Sequence, residues 1–258
     1  MTIHLKPGTR REKILEILRK EGSVKVHDLS EKLGYTAVTI RSDLAALEKE
    51  RYLQRTSGGA IINPQSTYKT DFRDRLNHNL AQKEAIATET AKMIPAGSTV
   101  MLNSGTTTFL VCQELKKKSN LNIVTNSIEA ALDLGSSPSL RVILLGGDIN
   151  AQYGFLYGND TIEQMVHYKA DYAILAMDGV CNDGRLTTFH SEEALVDRIM
   201  IERSRKTIIV ADSSKYQHEG FYFVSDLEPN SVWVTDTNIA QSAISEMKTI
   251  DIEIVTAS

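Results

Sequence analysis

From residue 82 onward the sequence alternates between segments of helical periodicity and short apolar runs typical of β-strands. The helical segments lie near 82–94, 107–117, 128–134, 161–167 and 192–205, and the strand-like runs are 99–102, 122–125, 141–145, 172–176, 206–211 and 232–235. Repeated alternation of this kind is typical of a largely parallel sheet with helices on both faces. The pattern predicts that residues 81–258 form one α/β domain.

Residues 1–63 follow a different pattern, because three short helices are expected there in succession. Apolar residues at helical spacing mark 10–21 as the first helix, and Val24 to Val26 could form a short strand after it. The second helix is expected to end at Gly34, and Thr36 is a natural N-cap for the third.

A hairpin is expected after the third helix. The runs 52–55 and 60–62 read as two short strands, and the glycine turn between them suits a tight connection. Three helices followed by a hairpin are typical of a winged helix-turn-helix. Residues 64–80 are polar and mixed in charge, so we interpret them as a partly helical linker to the α/β domain.

The charge of the chain is divided between these two parts. Residues 1–65 carry 12 basic and 8 acidic residues, a net charge of +4, whereas the remainder carries 17 and 25, a net charge of −8. A basic head on an acidic body favours nucleic acid as the partner of the head. A basic end of this size is also common on an ordinary solvated surface.

Composition excludes several other classes of protein. With 41% hydrophobic and 24% charged residues, the chain is neither disordered nor fibrous. Cys112 and Cys181 are the only cysteines, too few for a disulfide scaffold or a four-cysteine zinc site, so we expect a reducing compartment and no metal. The apolar runs fall far below the about 18 residues of a membrane span, and the first thirty residues lack the apolar run of a signal peptide. We expect a cytoplasmic protein without membrane contact.

The third helix of the head carries side chains suited to DNA. Small hydroxyl side chains touch base edges in the major groove, while arginine and helix N-terminal amides reach phosphate. The helical spacing alone is equally consistent with a plain three-helix bundle. The hairpin after the third helix favours a DNA-binding winged helix-turn-helix. The residues expected to contact DNA are Thr36, Ala37, Thr39, Arg41, Ser42, Arg55, Ser57 and Gly58.

In a parallel sheet, ligands bind beyond the carboxyl ends of the strands, so the polar loops there are candidate binding loops. The loop 103–108 follows a predicted strand and precedes a predicted helix. This position suits a phosphate monoester, because glycine lets the backbone approach the phosphate closely and the start of the helix offers free amides. It is neither a Walker loop nor a dinucleotide-binding turn, and no cofactor is expected. Loops 125–127, 146–148 and 178–179 end strands in the same way, and an ordinary capping turn is the alternative for each loop.

Cations and hydroxyl-binding groups complete the candidate site. Lys83 and Lys215 are candidates for neutralising a negative charge on the ligand, and His190 and Glu193 are candidates for contacts with sugar hydroxyls. The alternative for each of them is an ordinary solvated or helix-capping side chain. The full set of expected ligand-binding residues is Lys83, Asn103, Ser104, Gly105, Thr106, Thr107, Thr108, Thr125, Asn126, Ser127, Gly146, Gly147, Asp178, Gly179, His190, Glu193 and Lys215.

The amino-acid sequence of the head resembles that of a known family. The runs 22–34, GSVKVHDLSEKLG, 38–44, VTIRSDL, and 58–60, GGA, resemble the winged helix-turn-helix of DeoR-type bacterial transcriptional regulators. That family usually carries a second arginine after Thr-Ile-Arg, where this chain has Ser42, so one phosphate or base contact is changed. Arg41 keeps its matching position.

The body resembles the effector-sensing domain of the same family. The matching runs are 83–87, 104–108, 124–127, 145–147 and 211–215. That domain is related in fold to ribose-5-phosphate isomerase, and the resemblance implies a phosphorylated sugar as effector. The Ser-Gly-Thr-Thr-Thr wording is closest to members that control amino-sugar and galactosamine-type catabolism.

One departure from the family bears on chemistry. The family generally shows Asp immediately before Ser-Gly-Thr, where this chain has Asn103, which cannot act as a carboxylate base. Isomerisation of a sugar phosphate needs such a base. Asp178 and Glu193 remain as carboxylates, but nothing in the sequence pairs them. Sensing without turnover is therefore favoured, and no catalytic residue is assigned.

These observations predict a DNA-binding repressor of a sugar or amino-sugar catabolic operon, relieved by a phosphorylated sugar. Because specificity usually comes from two heads on two half-sites, we expect a homo-oligomer, a dimer or a tetramer. The main alternative is a sugar-phosphate isomerase or deaminase with an accessory DNA-binding-like head. Activation instead of repression, and a head that binds protein, are further alternatives.

Overall fold

Contacts within the chain divide it into a head, Met1–Asp71, and a body, Phe72–Ser258. The computed structural model describes residues 7–49, 53–62, 72–150 and 153–258. The expected linker falls partly outside this range, because residues 64–71 are not described. Its described part begins with a helix that belongs to the body.

The head contains three helices and a small antiparallel sheet of order β1-β3-β2. The elements are α1 Pro7–Glu21, β1 Ser23–Lys25, α2 Val26–Leu33, α3 Ala37–Lys49, β2 Leu53–Arg55 and β3 Gly59–Ile62. This is the predicted order of a winged helix-turn-helix. Val26 differs from the expectation, because it begins α2 and does not continue the strand.

Apolar residues at helical spacing build the core of the head. The fully or nearly buried members include Ile14, Leu18, Leu29, Ile40, Leu44, Leu47, Leu53 and Ala60. Gly34 ends α2 at a φ of 73°, in the left-handed conformation that glycine adopts without strain. The turn after it leads directly into α3.

The body begins with α4 Phe72–Asn77 and alternates helices and strands from there. Its other helices are α5 Leu80–Lys92, α6 Thr106–Leu115, α7 Ile128–Leu134, α8 Asn159–Met165, α9 Ser191–Glu202 and α10 Gln241–Thr249. Its strands are β4 Thr99–Leu102, β5 Leu121–Thr125, β6 Leu140–Leu144, β7 Asp148–Asn150, β8 Phe155–Tyr157, β9 Ala170–Leu175, β10 Gly179–Val180, β11 Arg185–Thr188, β12 Ser204–Val210, β13 Tyr222–Asp226, β14 Val232–Asp236 and β15 Glu253–Ala257. Within the described ranges, no helix combines the length and apolar character needed to cross a membrane.

Seven parallel strands form the main sheet in the order β15-β14-β12-β9-β4-β5-β6. The chain builds outward from β4 to β6, then returns to the other side of β4 and builds outward again from β9. The carboxyl ends of β4 and β9 therefore flank the point where the winding reverses. In open α/β sheets this crevice is where ligands bind.

Helices cover both faces of the sheet, as the alternation predicted. In β4, Val100 and Leu102 pack into the apolar cluster formed with α5, α6 and α7, whereas Met101 packs into the cluster formed with α8, α9 and α10. This side-chain period of two is that of a strand buried on both faces. Trp233 on β14 is fully buried and donates its indole hydrogen to the Ala211 carbonyl at 2.9 Å.

Several short elements were not expected from the sequence. Strands β7 and β8 form an antiparallel hairpin, and β10, β11 and β13 form a three-stranded antiparallel sheet. The last helix and strand, α10 and β15, complete the main sheet at one edge. The small sheet matters for the site, because β11 carries residues next to the carboxyl ends of β4 and β9.

Candidate functional site

The N-terminus of α3 is held by its own threonines. Thr36 Oγ1 accepts a hydrogen bond from the Thr39 amide at 3.2 Å, and the two hydroxyl oxygens lie 3.0 Å apart. This cap satisfies one of the free amides at the start of the helix. Thr36, Arg41 and Ser42 are exposed, and Ala37 and Thr39 are partly exposed. The sequence-selected residues of α3 thus share one accessible stretch.

Val38 belongs to the same stretch, although it was not selected from the sequence. It is 74% exposed, which is unusual for a valine. The helical spacing could have identified Val38 as exposed, because Val38 does not lie on the buried face that carries Ile40 and Leu44. A branched apolar side chain at the start of a major-groove helix suits the methyl group of thymine.

Close backbone contact fixes the hairpin of β2 and β3. A β-carbon on Gly59 would lie 1.8 Å from the Val24 carbonyl oxygen, so a larger residue cannot be accommodated without displacing backbone. Ser57 and Gly58 at the tip are exposed. Arg55 is exposed too, and its Nε donates to Glu48 Oε2 of α3 at 2.6 Å, which holds this arginine beside α3.

A buried carboxylate connects α3 to α1. Asp43 is 2% exposed and accepts hydrogen bonds from Arg10 Nη2 at 3.1 Å and from Arg11 Nε at 3.1 Å. The Arg10 guanidinium also lies 4.5 Å from the centre of the Tyr35 ring. The position of α3 therefore depends on an ion pair that links residues 32 and 33 positions apart.

In the body, the Asn103 side chain forms hydrogen bonds that connect the ends of β4 and β9. Its Nδ2 donates to the Ala176 carbonyl at 3.0 Å and to Asp197 Oδ1 of α9 at 3.1 Å, and its Oδ1 accepts the Ala176 amide at 2.9 Å. The side chain is completely buried. Both amide hydrogens are used within the protein, so the expected direct contact of Asn103 with a ligand is replaced by a positioning role.

The loop after β4 leads into α6 by a close approach to β9. A β-carbon on Gly105 would lie 2.8 Å from the Ala176 β-carbon, which accounts for glycine here. Gly105 is also the N-cap of α6 and has no side chain to occupy the first amides of the helix. Thr106 and Thr107 are buried in this first turn, and Thr108 Oγ1 donates to the Gly105 carbonyl at 3.0 Å.

Carboxyl groups meet hydroxyl groups at the same rim. Ser104 Oγ donates to Glu193 Oε1 at 3.0 Å, and Thr188 Oγ1 lies 2.9 Å from Glu193 Oε2. The same Thr188 oxygen lies 3.0 Å from Asp178 Oδ2, which also accepts the Phe189 amide at 3.1 Å. Burial, and then the negative charge of Asp178, raise the pKa of Glu193 to about 7.

Positive charges gather beside these carboxyls. Lys83 is buried and donates to the Arg75 carbonyl oxygen. Burial, against the opposing charge of Asp212 and together with the charges of Lys215 and Arg75, lowers the pKa of Lys83 to about 8. Arg75 also acts on Glu193, whose pKa its charge lowers against the larger effect of burial. Arg75 therefore connects Lys83 to the carboxyl groups around Glu193.

Arg75 is a site residue that the sequence analysis missed. It was assigned to the linker, but Phe72 packs edge-on against Phe109 at 5.4 Å and brings α4 onto the body. The Arg75 guanidinium lies 4.7 Å from the Tyr153 ring centre, and that ring lies 4.4 Å from the His190 ring. Within the described parts of the chain, the buried Nε of Arg75 has no hydrogen-bond partner.

The predicted loop 125–127 is occupied by its own hydrogen bonds. Thr125 Oγ1 accepts the Ser127 amide at 3.0 Å, and Ser127 Oγ accepts the Ala130 amide at 3.3 Å as the N-cap of α7. Asn126 Nδ2 donates to the Leu156 carbonyl at 3.0 Å. All three side chains are buried, so this loop matches the capping interpretation more closely than the ligand-binding one.

The remaining predicted glycines pack against neighbouring backbone. The Gly146 carbonyl accepts the Thr161 hydroxyl at 2.7 Å, and Gly147 also lies in close contact with that hydroxyl. Gly179 begins β10, where a β-carbon would lie 1.8 Å from the His218 carbonyl oxygen. These contacts explain glycine at 147 and 179, whereas a β-carbon on Gly146 would meet only the Gln164 side chain, at 3.0 Å.

Two family models match the chain, one to each unit. The DeoR-like helix-turn-helix domain matches residues 10–66, and the DeoR C terminal sensor domain matches residues 78–237. The chain belongs to the DeoR family of transcriptional regulators. Membership places it among DNA-binding regulators and not among enzymes.

Relatives in the DeoR family match almost the whole chain. The putative aga operon transcriptional repressor of Escherichia coli O157:H7 is 30% identical, with 95% of this chain and 92% of the relative covered. The glycerol-3-phosphate regulon repressor of Escherichia coli strain K12 is 34% identical, with 82% and 84% covered. The transcriptional repressor GlcR of Bacillus subtilis is 30% identical, with 86% of each covered.

Among solved structures, this DeoR-family chain has a partial likeness to a ribose 5-phosphate isomerase. Ribose 5-phosphate isomerase A from Methanocaldococcus jannaschii is 18% identical, covers 54% of this chain and 55% of its own, and has a TM-score of 0.40. A likeness of this extent says nothing about ligand or activity.

Proposed function

We propose that this DeoR-family regulator represses a carbohydrate operon by binding operator DNA through α3 and the wing, and that a phosphorylated sugar relieves repression. The observation that carries the effector part is that the charge of Arg75 acts on both Lys83 and Glu193, with Lys215 also close to Lys83. Glu193 in turn accepts a hydrogen bond from Ser104, directly before the Gly105 N-cap of α6. Cations and helix amides are what a phosphate group requires.

The DNA-binding surface in this proposal consists of the exposed stretch of α3 and the hairpin tip. Arg41 and Ser42 reach phosphate or base edges, Thr36, Ala37, Val38 and Thr39 lie at the helix start, and Arg55, Ser57 and Gly58 contribute from the wing. Because one small head contacts one half-site, tight and specific binding requires a homo-oligomer. We propose at least a dimer.

The effector site in this proposal divides by charge. Arg75, Lys83 and Lys215 neutralise the phosphate, and the amides at the start of α6 donate to its oxygens, while Ser104 and Thr106 to Thr108 supply hydroxyl contacts. Asp178, His190 and Glu193 lie on the other side, where hydroxyl groups of a sugar would find acceptors and donors. The relatives that repress the aga operon and the glycerol-3-phosphate regulon support a small phosphorylated carbohydrate as the ligand class.

The DNA part is tested by selecting bound duplexes from a randomised pool and measuring their affinity at two salt concentrations. Arg41→Ala should weaken binding about 5- to 100-fold, the range expected for loss of one specific contact. Lys13→Ala is the control, because it removes an exposed positive charge from α1. Equal effects of the two substitutions would show that α3 is not the reading helix.

The effector part is tested by a thermal-shift screen with sugar phosphates and their unphosphorylated parents. A phosphosugar at about 100 times its Kd should raise the melting midpoint of the body by roughly 5 to 10 °C, while its parent sugar should not. Lys83→Met should reduce the shift, whereas Lys169→Met, at the opposite rim of the sheet, should keep it. Equal shifts with parent and phosphorylated sugars would contradict a phosphate site.

A further inference from the structure

We propose that Glu193 holds a proton in the effector-free protein and that anion binding at the proposed effector site of the body is coupled to this proton. Effector affinity then falls as the pH rises. The inference rests on the proposed function, because it concerns the regulation of the same site. It adds a second signal, pH, to a site that the proposal assigns to a phosphorylated sugar.

A count of hydrogens carries the argument. Thr188 Oγ1 lies 3.0 Å from Asp178 Oδ2 and 2.9 Å from Glu193 Oε2, but a hydroxyl group has one hydrogen to donate. If both carboxyls were ionised, the single Thr188 hydrogen would be shared between two negatively charged acceptors. If Glu193 is protonated, its Oε2 donates to Thr188, Thr188 donates to Asp178, and both contacts become hydrogen bonds.

The other partners identify which of the two carboxyls holds the proton. Asp178 Oδ2 also accepts the backbone amide of Phe189 at 3.1 Å, so the Asp178 oxygen that contacts Thr188 already acts as an acceptor. Glu193 Oε1 accepts the Ser104 hydroxyl at 3.0 Å, which opposes protonation, so Oε2 is the Glu193 oxygen that can carry the hydrogen. With the proton on Glu193, every hydrogen bond in this chain of groups has a donor.

The charged groups around Glu193 favour the same assignment. Asp178 faces it from the loop after β9, Asp197 from the next turn of α9, and Arg75 from α4, while His190 is the N-cap of α9. Burial is the largest influence on both Glu193 and Asp197 and raises the pKa of each. The charge of Asp178 adds to this effect on Glu193, whereas the hydrogen bonds from Thr188 and Ser104 and the charge of Arg75 oppose it.

Anion binding connects to this proton through Ser104. The Ser104 hydroxyl belongs to the loop at the start of α6, where the proposed phosphate lies, and it now donates to Glu193. A dianion beside an ionised Glu193 would meet a like charge, whereas beside the neutral acid it would not. Binding above neutral pH must therefore take up a proton, while binding at pH 6 need not.

Lys83 contributes a separate proton at higher pH. Burial lowers its pKa to about 8, and a bound anion would favour the charged amine. The loss of affinity from Glu193 should therefore begin near pH 7, and the loss from Lys83 near pH 8. The two contributions are separable by substitution, because each variant removes one of them.

Sulfate is a suitable probe because it is tetrahedral like phosphate and stays a dianion from pH 6 to 9. We would measure the sulfate-dependent rise in melting midpoint of the full chain, with chloride at matched ionic strength as reference. For wild type, the sulfate Kd should rise by up to about tenfold per pH unit above pH 7, the limit for one coupled proton. Glu193→Gln retains the donor and acceptor pattern of the neutral acid and should remove the change between pH 6.5 and 7.5.

Two further variants separate proton coupling from a structural effect. Asp178→Asn removes the neighbouring negative charge and should move the onset of the pH dependence to lower pH. Lys83→Met should weaken sulfate binding throughout but keep the change near pH 7. A wild-type Kd that is constant from pH 6.5 to 8, or a Glu193→Gln variant with the wild-type pH dependence, would overturn the proposal. Absence of sulfate binding even at pH 6 would instead remove the anion site of the proposed function, and this inference with it.

The proton on Glu193 is also testable without any anion. Because the folded-state pKa of about 7 lies above the unfolded value, the folded chain holds the extra proton between those two pH values, and stability falls as the pH rises to 7. Glu193→Gln lacks this loss. The difference in melting midpoint between the variant and wild type should therefore grow from pH 5 to 7 and then level off. Parallel profiles for the two proteins would refute a proton on Glu193.

Discussion

The buried ion pair around Asp43 gives a sharp prediction for the head. Asp43 is 2% exposed, and the Arg10 side chain that it neutralises is 10% exposed. Asp43→Asn removes the negative charge that Arg10 and Arg11 share, so the buried Arg10 guanidinium loses this ion pair. Losing one partner of a buried pair costs about 3 to 5 kcal/mol, and the lower end applies here because Asn keeps one acceptor and Arg11 is partly solvated.

A loss of about 3 kcal/mol is large for a unit of this size. At about 0.05 to 0.15 kcal/mol per residue, the roughly 60 residues of the head have a total stability of about 3 to 9 kcal/mol. At about 4 to 8 °C per kcal/mol for a small domain, Asp43→Asn should lower the melting midpoint of the head by roughly 12 to 24 °C. The variant head would then be partly unfolded at growth temperatures, and operator binding would be lost with it.

One tryptophan makes the assay specific to each unit. The chain contains a single tryptophan, and Trp233 lies buried in the sheet of the body. Its fluorescence therefore follows the body, whereas far-ultraviolet circular dichroism follows all helices, including α1 to α3. Asp43→Asn should shift the first dichroism transition and leave the fluorescence transition in place.

The control for Asp43→Asn is an exposed ion pair in the same unit. Lys32 donates to Glu21 at 2.6 Å, and both side chains are well exposed, so Lys32→Gln should change stability by about 1 kcal/mol or less. If Asp43→Asn melts within a few degrees of wild type, the buried pair does not hold α3 in the way described here.

Three further outcomes follow from contacts in the two units. Gly59→Ala should destabilise the head, because its β-carbon would meet the Val24 carbonyl oxygen at 1.8 Å, whereas Gly58→Ala has open space; thermal melting distinguishes them. Burial raises the pKa of both cysteine thiols, so Ellman's reagent should react with them only after unfolding. Asn103→Asp should lower the stability of the body by about 2 to 4 kcal/mol at pH 8 by placing a second carboxyl beside Asp197, and tryptophan fluorescence should show a smaller loss at pH 5, where that carboxyl is more readily protonated.

The order of helices and strands was predictable because the main sheet is buried on both faces. Strands such as β4 must be apolar throughout, and the helices between them must carry one apolar face, so each element has a distinct local pattern. The polar rim was predictable for the same reason, since every parallel strand delivers its following loop to one edge. Ser104 and Glu193, selected separately, are indeed joined by a hydrogen bond at 3.0 Å.

Other parts of the site depend on contacts that have no local signal. Arg75 lies in a polar segment, and its place in the site follows from the packing of Phe72 on Phe109, 37 positions later in the chain. Thr188 joins Asp178 to Glu193 only because β11 pairs in a small sheet of very short strands. Periodicity describes one element at a time, so it cannot reveal a side chain positioned by another element.

Asn103 shows how a departure from the family pattern can be explained by the groups around it. Asp178, Glu193 and Asp197 already place three carboxyls close to the end of β4, and burial raises the pKa of two of them. An aspartate at 103 would add a fourth, and its oxygens could not donate to the Ala176 carbonyl or to Asp197. The asparagine amide donates to both. The missing carboxylate thus has a structural reason that is independent of catalysis: at this reversal point the chain needs a hydrogen-bond donor between two strand ends and a buried acid.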